Sequence, residues 1–155
     1  MLDTIQNGDV VLVWKSLNSK KLYLSNQVVL FSKILNGEKI SFVKRIAATP
    51  NDSITANTNE IIVNGKAYPH DPIYFTISGC PKDTNAKYFK FLTEQSIGNE
   101  KFENLKINTW FDDKSVTVPP EYYFLIGDNP YESMDSRFWG FVHEDQIIGK
   151  VIAIF

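Results

Sequence analysis

Short apolar runs separated by turn residues recur along the chain, and each reads as a strand. Residues 8–15, GDVVLVWK, open on a Gly8–Asp9 turn and continue as a run with three valines, which predicts a buried strand. QVVLFSK (27–33) predicts a second, and NGEK after it a hairpin turn. ISFVKRIAA (40–48) predicts a third, and TPNDS supplies Pro50, Asn51 and Asp52 for the next turn. SITA, EIIVNG and KAY predict a meander in which Asn64–Gly65 is the clearest two-residue turn. PIYFTISG (72–79) fits another strand. Residues 80–113 are less regular: KYFKFLT fits a strand and GNEKFENLK a short helix. That stretch reads as an inserted subdomain, leaving 1–79 and 114–155 as the β core. EYYFLIGDN (121–129) returns to the β pattern, and QIIGKVIAIF (146–155) predicts a final buried strand. The expected class is mostly β, a barrel-like or sandwich arrangement of short antiparallel strands.

The third strand holds an anomaly. Side chains alternate between the faces of a strand, so Ile40, Phe42, Lys44 and Ile46 share one face. Three are apolar and one is a lysine. Arg45 falls on the other face, where it is expected to reach water. A lysine in a strand is ordinarily a solvated edge residue. It acts as a general base at neutral pH only if its pKa falls well below about 10.4, and desolvation by neighbours such as Phe42 and Ile46 works in that direction.

Composition narrows the alternatives. Over 155 residues, 43% are hydrophobic and 22% charged, the balance of a folded domain rather than a disordered chain. A net charge of -2 gives no basic surface for nucleic acid; Lys20 and Lys21 form too small a cluster. Cys80 is the sole cysteine, so no intrachain disulfide forms, and His70 and His143 sit at no metal-ligand spacing. No metal or cofactor is expected. No run of about 18 apolar residues is present to span a membrane, and no secretory leader is visible.

Three stretches carry a resemblance: FVKRIAATPNDSI, GDNPYESMDSRFWGFV and IIGK. They resemble the type I signal peptidases, membrane-bound Ser/Lys proteases of the S26 family. The family pattern follows its lysine with a basic residue, aliphatic residues and a Pro-Gly-Asp turn. Here that reads Lys44, Arg45 and Ile46, then Pro50, Asn51 and Asp52. The later family box is matched by Gly127, Asp128, Asn129, Ser133, Asp135, Ser136, Arg137, Phe138, Trp139 and Gly140. Asn51 replaces a glycine, which asparagine tolerates because it visits positive φ. Pro130 replaces an arginine, so any polar contact of that residue is lost.

The resemblance implies that Lys44 is the general base and that the Ser133 hydroxyl hydrogen-bonds and orients it. Asp135 and Arg137 would pair to fix the loop carrying Ser133, with Ser136 beside them, and Gly127, Asp128 and Asn129 would make the turn that returns this loop to the lysine. Ser41, Phe42 and Val43 would pair through their backbones with an extended substrate and line pockets for small side chains. Trp139 and Phe138 are expected in packing. The nucleophile belongs to a family pattern Ser-Met-x-Pro-Thr-Leu-x-x-Gly-Asp. Anchored on Gly8–Asp9, that pattern gives Met1 for the Met, Asp3 at the Pro position, Thr4 for the Thr and Ile5 for the Leu. The serine then falls one position before Met1. Truncation of a longer protein, a natural pseudoenzyme, or another serine such as Ser16 or Ser19 would each account for this. The surviving register from Met1 to Asp9 favours truncation, and the chain as it stands is expected to be inactive.

The implied activity is removal of signal peptides from secretory preproteins, after small residues, on the outer side of the bacterial cytoplasmic membrane. A missing N-terminal anchor would supply the membrane contact, and no nucleic acid is involved. A self-cleaving repressor domain shares the fold, but the sequence shows neither a DNA-binding segment nor a cleavable linker. A conjugative-transfer peptidase shares the Ser/Lys pair. A non-catalytic β module that binds extended peptides or partner subunits is the alternative from another class.

Overall fold

The computed structural model describes residues 4–16, 22–35, 37–56, 61–68, 115–128, 133 and 135–155. The expected strand at 72–79 and the expected subdomain at 80–113, with its strand and helix, lie outside these residues. The described residues are mostly antiparallel β. Strands β1 (Val11–Trp14), β2 (Val28–Leu35), β3 (Glu38–Ala48), β8 (Tyr122–Ile126), β9 (Val142–His143) and β10 (Ile147–Ile154) form a six-stranded sheet in the order β1-β10-β2-β3-β8-β9. Strands β4 (Ser53–Ala56), β5 (Ile61–Val63), β6 (Lys66–Tyr68) and β7 (Val116–Thr117) form a four-stranded sheet in the order β6-β5-β4-β7. Residues on both sides of the 80–113 stretch therefore contribute to both sheets.

The turns are where the turn chemistry put them. β2 and β3 pair from Val28 opposite Arg45 to Leu35 opposite Glu38, closing a tight hairpin in which Gly37 has φ 81°. Asn64 and Gly65, at φ 51° and 77°, join β5 to β6 in the left-handed conformation that a two-residue hairpin requires. Asn51 adopts φ 71° in the turn after β3. Below it, Asp52 accepts bonds from the Thr49 amide and hydroxyl and from Asn64 Nδ2, so one carboxylate joins the end of β3 to the second sheet.

β3 and β8 carry apolar side chains on both faces. One face gives Val29, Phe31, Ile46, Leu125, Trp139 and Ile147; the other gives Ala47, Ala48, Ile54, Val118, Phe124 and Ile126. The register shift between Ile46 and Ala48 turns the end of β3 into this second core.

Two strand expectations need correction. Among the described residues β1 is a sheet edge, not a buried strand: it pairs there only with β10, and Leu12 and Trp14 are 50% and 57% exposed. β10 is buried at Ile147 and Gly149 but exposes Ile152 and Ile154 at its far end, followed by exposed Phe155, where among the described residues β1 is its one neighbour beyond β2. An apolar run reports strand propensity and cannot say which strand is left at the edge.

Candidate active site

The lysine, the Ser133 loop and Gly127 meet at one point. A Cβ built on Gly127 would lie 2.1 Å from Ser133 Oγ and 3.2 Å from Lys44 Nζ. The absence of a side chain at Gly127 is what lets the hydroxyl and the amine approach. Both residues are buried: Lys44 is 9% and Ser133 6% exposed. The Ser133 Oγ makes no hydrogen bond among the described residues, so the two groups are neighbours without a formed bond.

Lys44 stands opposite Val29 on β2, two positions from Phe42 and from Ile46. Phe42 stacks on Phe31 with centroids 5.6 Å apart and lies 5.1 Å from the Trp139 ring, forming an aromatic wall beside the amine. Burial pushes the Lys44 ammonium down from its ordinary value; the Asp135 charge opposes this, Arg137 adds to it, and Asp128 opposes it. Burial also lowers Lys33, whose Nζ sits 5.9 Å from the Trp139 ring centroid. Lys33 lies opposite Ile40, about 13 Å along β3 from the Lys44 position at the usual rise per residue. A depressed pKa is thus common to two lysines, and proximity to Ser133 singles out Lys44.

The loop is held by Asp135, which is fully buried. Its carboxylate receives Arg137 Nε and Nη2, both at 2.8 Å, and the backbone amides of Gly127 and Arg137. The Gly127 amide bond matters most for the site, because it ties the residue touching Lys44 to the loop carrying Ser133. Ser136 Oγ accepts from the buried Leu125 amide at 2.9 Å, fastening helix α1 (Ser136–Trp139) to β8. Asn129 lies outside the described residues, and the Phe138 side chain is likewise not described.

Arg45 has a partner that strand alternation did not reveal. Its guanidinium, 27% exposed, reaches water and also forks onto Asp128, Nε to Oδ1 at 2.9 Å and Nη2 to Oδ2 at 2.7 Å, while Nη1 donates to the Asn26 carbonyl. The cause is register: Arg45 pairs with Ile126, so Asp128 emerges two residues past that pair. Burial alone would raise the Asp128 carboxyl, but bonds from Arg45 and Thr4 and the guanidinium charge hold it below its usual value. Strand alternation cannot reveal such a partner; the arginine after Lys44 and the aspartate after Gly127 were the available signal.

Ser41, Phe42 and Val43 lie on the stretch of β3 beyond its pairing with β8. That pairing runs over Arg45, Ile46 and Ala48, so among the described residues the β3 edge from Glu38 to Lys44 has no strand beside it on this side. The arrangement offers an open backbone edge leading directly to a buried amine.

The family described as "Signal peptidase, peptidase S26" matches residues 1–155. Signal peptidase I of Buchnera aphidicola subsp. Baizongia pistaciae is 28% identical over 205 residues, covering 100% of this chain and 66% of that protein. Signal peptidase I of Aquifex aeolicus is 28% identical, covering 100% of this chain and 72% of that one. Signal peptidase I T of Bacillus subtilis is 27% identical, covering 100% and 68%. The chain thus spans about two thirds of the length of these relatives. A crystal structure of a signal peptidase I from Enterococcus faecalis V583 matches 87% of this chain and 100% of that one, at 24% identity and a TM-score of 0.49. With the family match extending from the first residue to the last, this chain belongs to the signal peptidase, peptidase S26 family.

Proposed function

We propose that the protein is the catalytic domain of a serine endopeptidase that removes signal peptides from secretory preproteins. Lys44 is the general base that activates a serine nucleophile. The observation that carries this reading is the convergence of the Lys44 amine and the Ser133 hydroxyl on Gly127, in two buried residues. A neutral amine there takes the proton of the attacking serine as its oxygen bonds to the scissile carbonyl carbon. Collapse of the tetrahedral adduct breaks the C–N bond, and the lysine's proton goes to the leaving amine. Water, deprotonated by the same amine, then releases the acyl group. Ser133 Oγ, without another partner among the described residues, is placed to orient the amine.

The substrate lies as an added strand along Ser41, Phe42 and Val43, on the β3 edge left open by β8. The wall of Phe42, Phe31 and Trp139 limits the depth available to its side chains. The exposed apolar edge formed by Leu12, Trp14, Ile152 and Phe155 rests on lipid, on the outer side of the bacterial cytoplasmic membrane. No helix among the described residues is long and apolar enough to cross a membrane.

The test is cleavage of a preprotein by the full-length protein of the source gene and by its Lys44→Ala variant. Turnover that Lys44→Ala abolishes supports the reading. Undiminished turnover by Lys44→Ala removes Lys44 from the mechanism. Peptide binding without turnover by the full-length protein identifies a non-catalytic member of the family.

A further inference from the structure

A second cation lies on the face of the sheet that carries Lys44. In the β2–β3 hairpin Val29, Phe31 and Lys33 stand opposite Lys44, Phe42 and Ile40, so strand alternation puts these six side chains on one face. That face begins at the Lys44 amine, continues through the stacked rings of Phe31 and Phe42, and ends at Lys33 and Ile40. Trp139 lies over its middle, with ring centroids 6.1 Å from Phe31 and 5.1 Å from Phe42. The Lys33 side chain reaches this aromatic wall, its Nζ 5.9 Å from the Trp139 centroid. A ring face attracts a cation but supplies no counter-charge. Among the described residues Lys33 forms no ion pair, and no carboxylate opposes the lowering of its pKa by burial.

We propose that Lys33 is a specificity-determining residue: its ammonium group recognises a carboxylate side chain on the peptide substrate, at the substrate position that pairs with Ile40. This rests on the proposed reading of the open β3 edge as the substrate strand and of Lys44 as the base. A residue added opposite Ile40 points to the same face as Ile40 and Lys33, about four residues along the substrate from the one beside Lys44. The added strand lies two strand spacings from β2, about 10 Å, a span that a lysine and a glutamate side chain bridge between them. Beside the Trp139 and Phe42 rings the contact is less screened by water than an exposed ion pair. Substrate residues one position to either side point to the opposite face, out of reach of Lys33. The contact is remote from the reacting bond, so it forms equally in the bound substrate and in the transition state and acts on KM.

The experiment measures kcat and KM of the full-length protein on peptides that carry Glu, Gln or Lys at a single position. That position is moved one residue at a time through the region about four residues from the cleaved bond, on either side of it. At one position Glu is expected to give a KM about 5- to 10-fold below that of Gln, with Lys above Gln and kcat nearly constant. The flanking positions are expected to show no such preference. Lys33→Met keeps a long apolar stem on Trp139 and removes the cation, and is expected to abolish the Glu-over-Gln preference. Lys33→Arg is expected to retain it. Equal KM values for Glu and Gln peptides at every position, a preference equally strong at neighbouring positions, or one that survives Lys33→Met would each overturn the proposal while leaving the dyad standing. A full-length protein that cleaves none of the peptides or preproteins overturns the dyad reading and this role with it.

Discussion

Gly127→Ala is the most direct structural perturbation of the site. The added methyl carbon would sit 2.1 Å from Ser133 Oγ and 2.6 Å from Ser133 Cβ, where real Cβ contacts essentially never fall under 3.0 Å. Relief requires roughly 1 Å of movement by the Ser133 loop or by the β8 end, and such overpacking costs about 1–3 kcal/mol. Rotation of the hydroxyl alone does not help, since the Ser133 Cβ is also too close. For a domain of this size the melting midpoint should fall by about 2–12 °C. The same movement separates Ser133 from Lys44, so kcat of the full-length protein should drop by up to ~100-fold. Calorimetry and preprotein cleavage read the two effects separately. Combining Gly127→Ala with Ser133→Gly removes both offending atoms and should return much of the stability without returning the activity. A Gly127→Ala protein that melts and turns over like the parent would refute the packing argument.

Three other outcomes follow from the same geometry. Lys44 has a folded-state pKa below its unfolded value, so the cost of burying its charge is fully present below the folded pKa and disappears as pH rises toward about 10.4. Lys44→Met should therefore raise the melting midpoint at pH 6–7, and the gain should shrink in melts taken at rising pH. Asp135→Ala strips a buried carboxylate from Arg137 and from the Gly127 amide and should cost about 3–5 kcal/mol in denaturant unfolding. At Gly149, a Cβ would stand 2.4 Å from the Trp14 carbonyl oxygen, so Gly149→Ala should loosen β1 and speed amide exchange in Val11–Trp14, with little change at β3.

The legible parts of the fold were those written in local chemistry. Asn64–Gly65 marked its hairpin because both residues accept positive φ, and β3 was readable from its alternating apolar positions. Lys44 stood out because it interrupted that alternation. What stayed hidden depended on neighbours distant in sequence. Leu12 and Trp14 look like core residues until the strand order leaves β1 at an edge. The ion pair of Arg45 is invisible until the register of β8 brings Asp128 beneath it. Helix α1 spans only Ser136–Trp139, too short for a helical period to show, and its start is set by Asp135 accepting from the Arg137 amide. Thr4 was visible only as a motif position; its bond to Asp128 spans 124 residues of sequence.

The central claim is that the Lys44 amine is held neutral more readily than an ordinary lysine by burial beside Ser133. Titrating the folded protein by carbon NMR with label at the lysine Cε, with Lys44→Met to assign the signal, measures this directly. The account predicts a Lys44 midpoint clearly below that of the exposed lysines, rising toward theirs when Gly127→Ala opens the site. A Lys44 resonance that titrates together with the surface lysines, near pH 10.4, would contradict it.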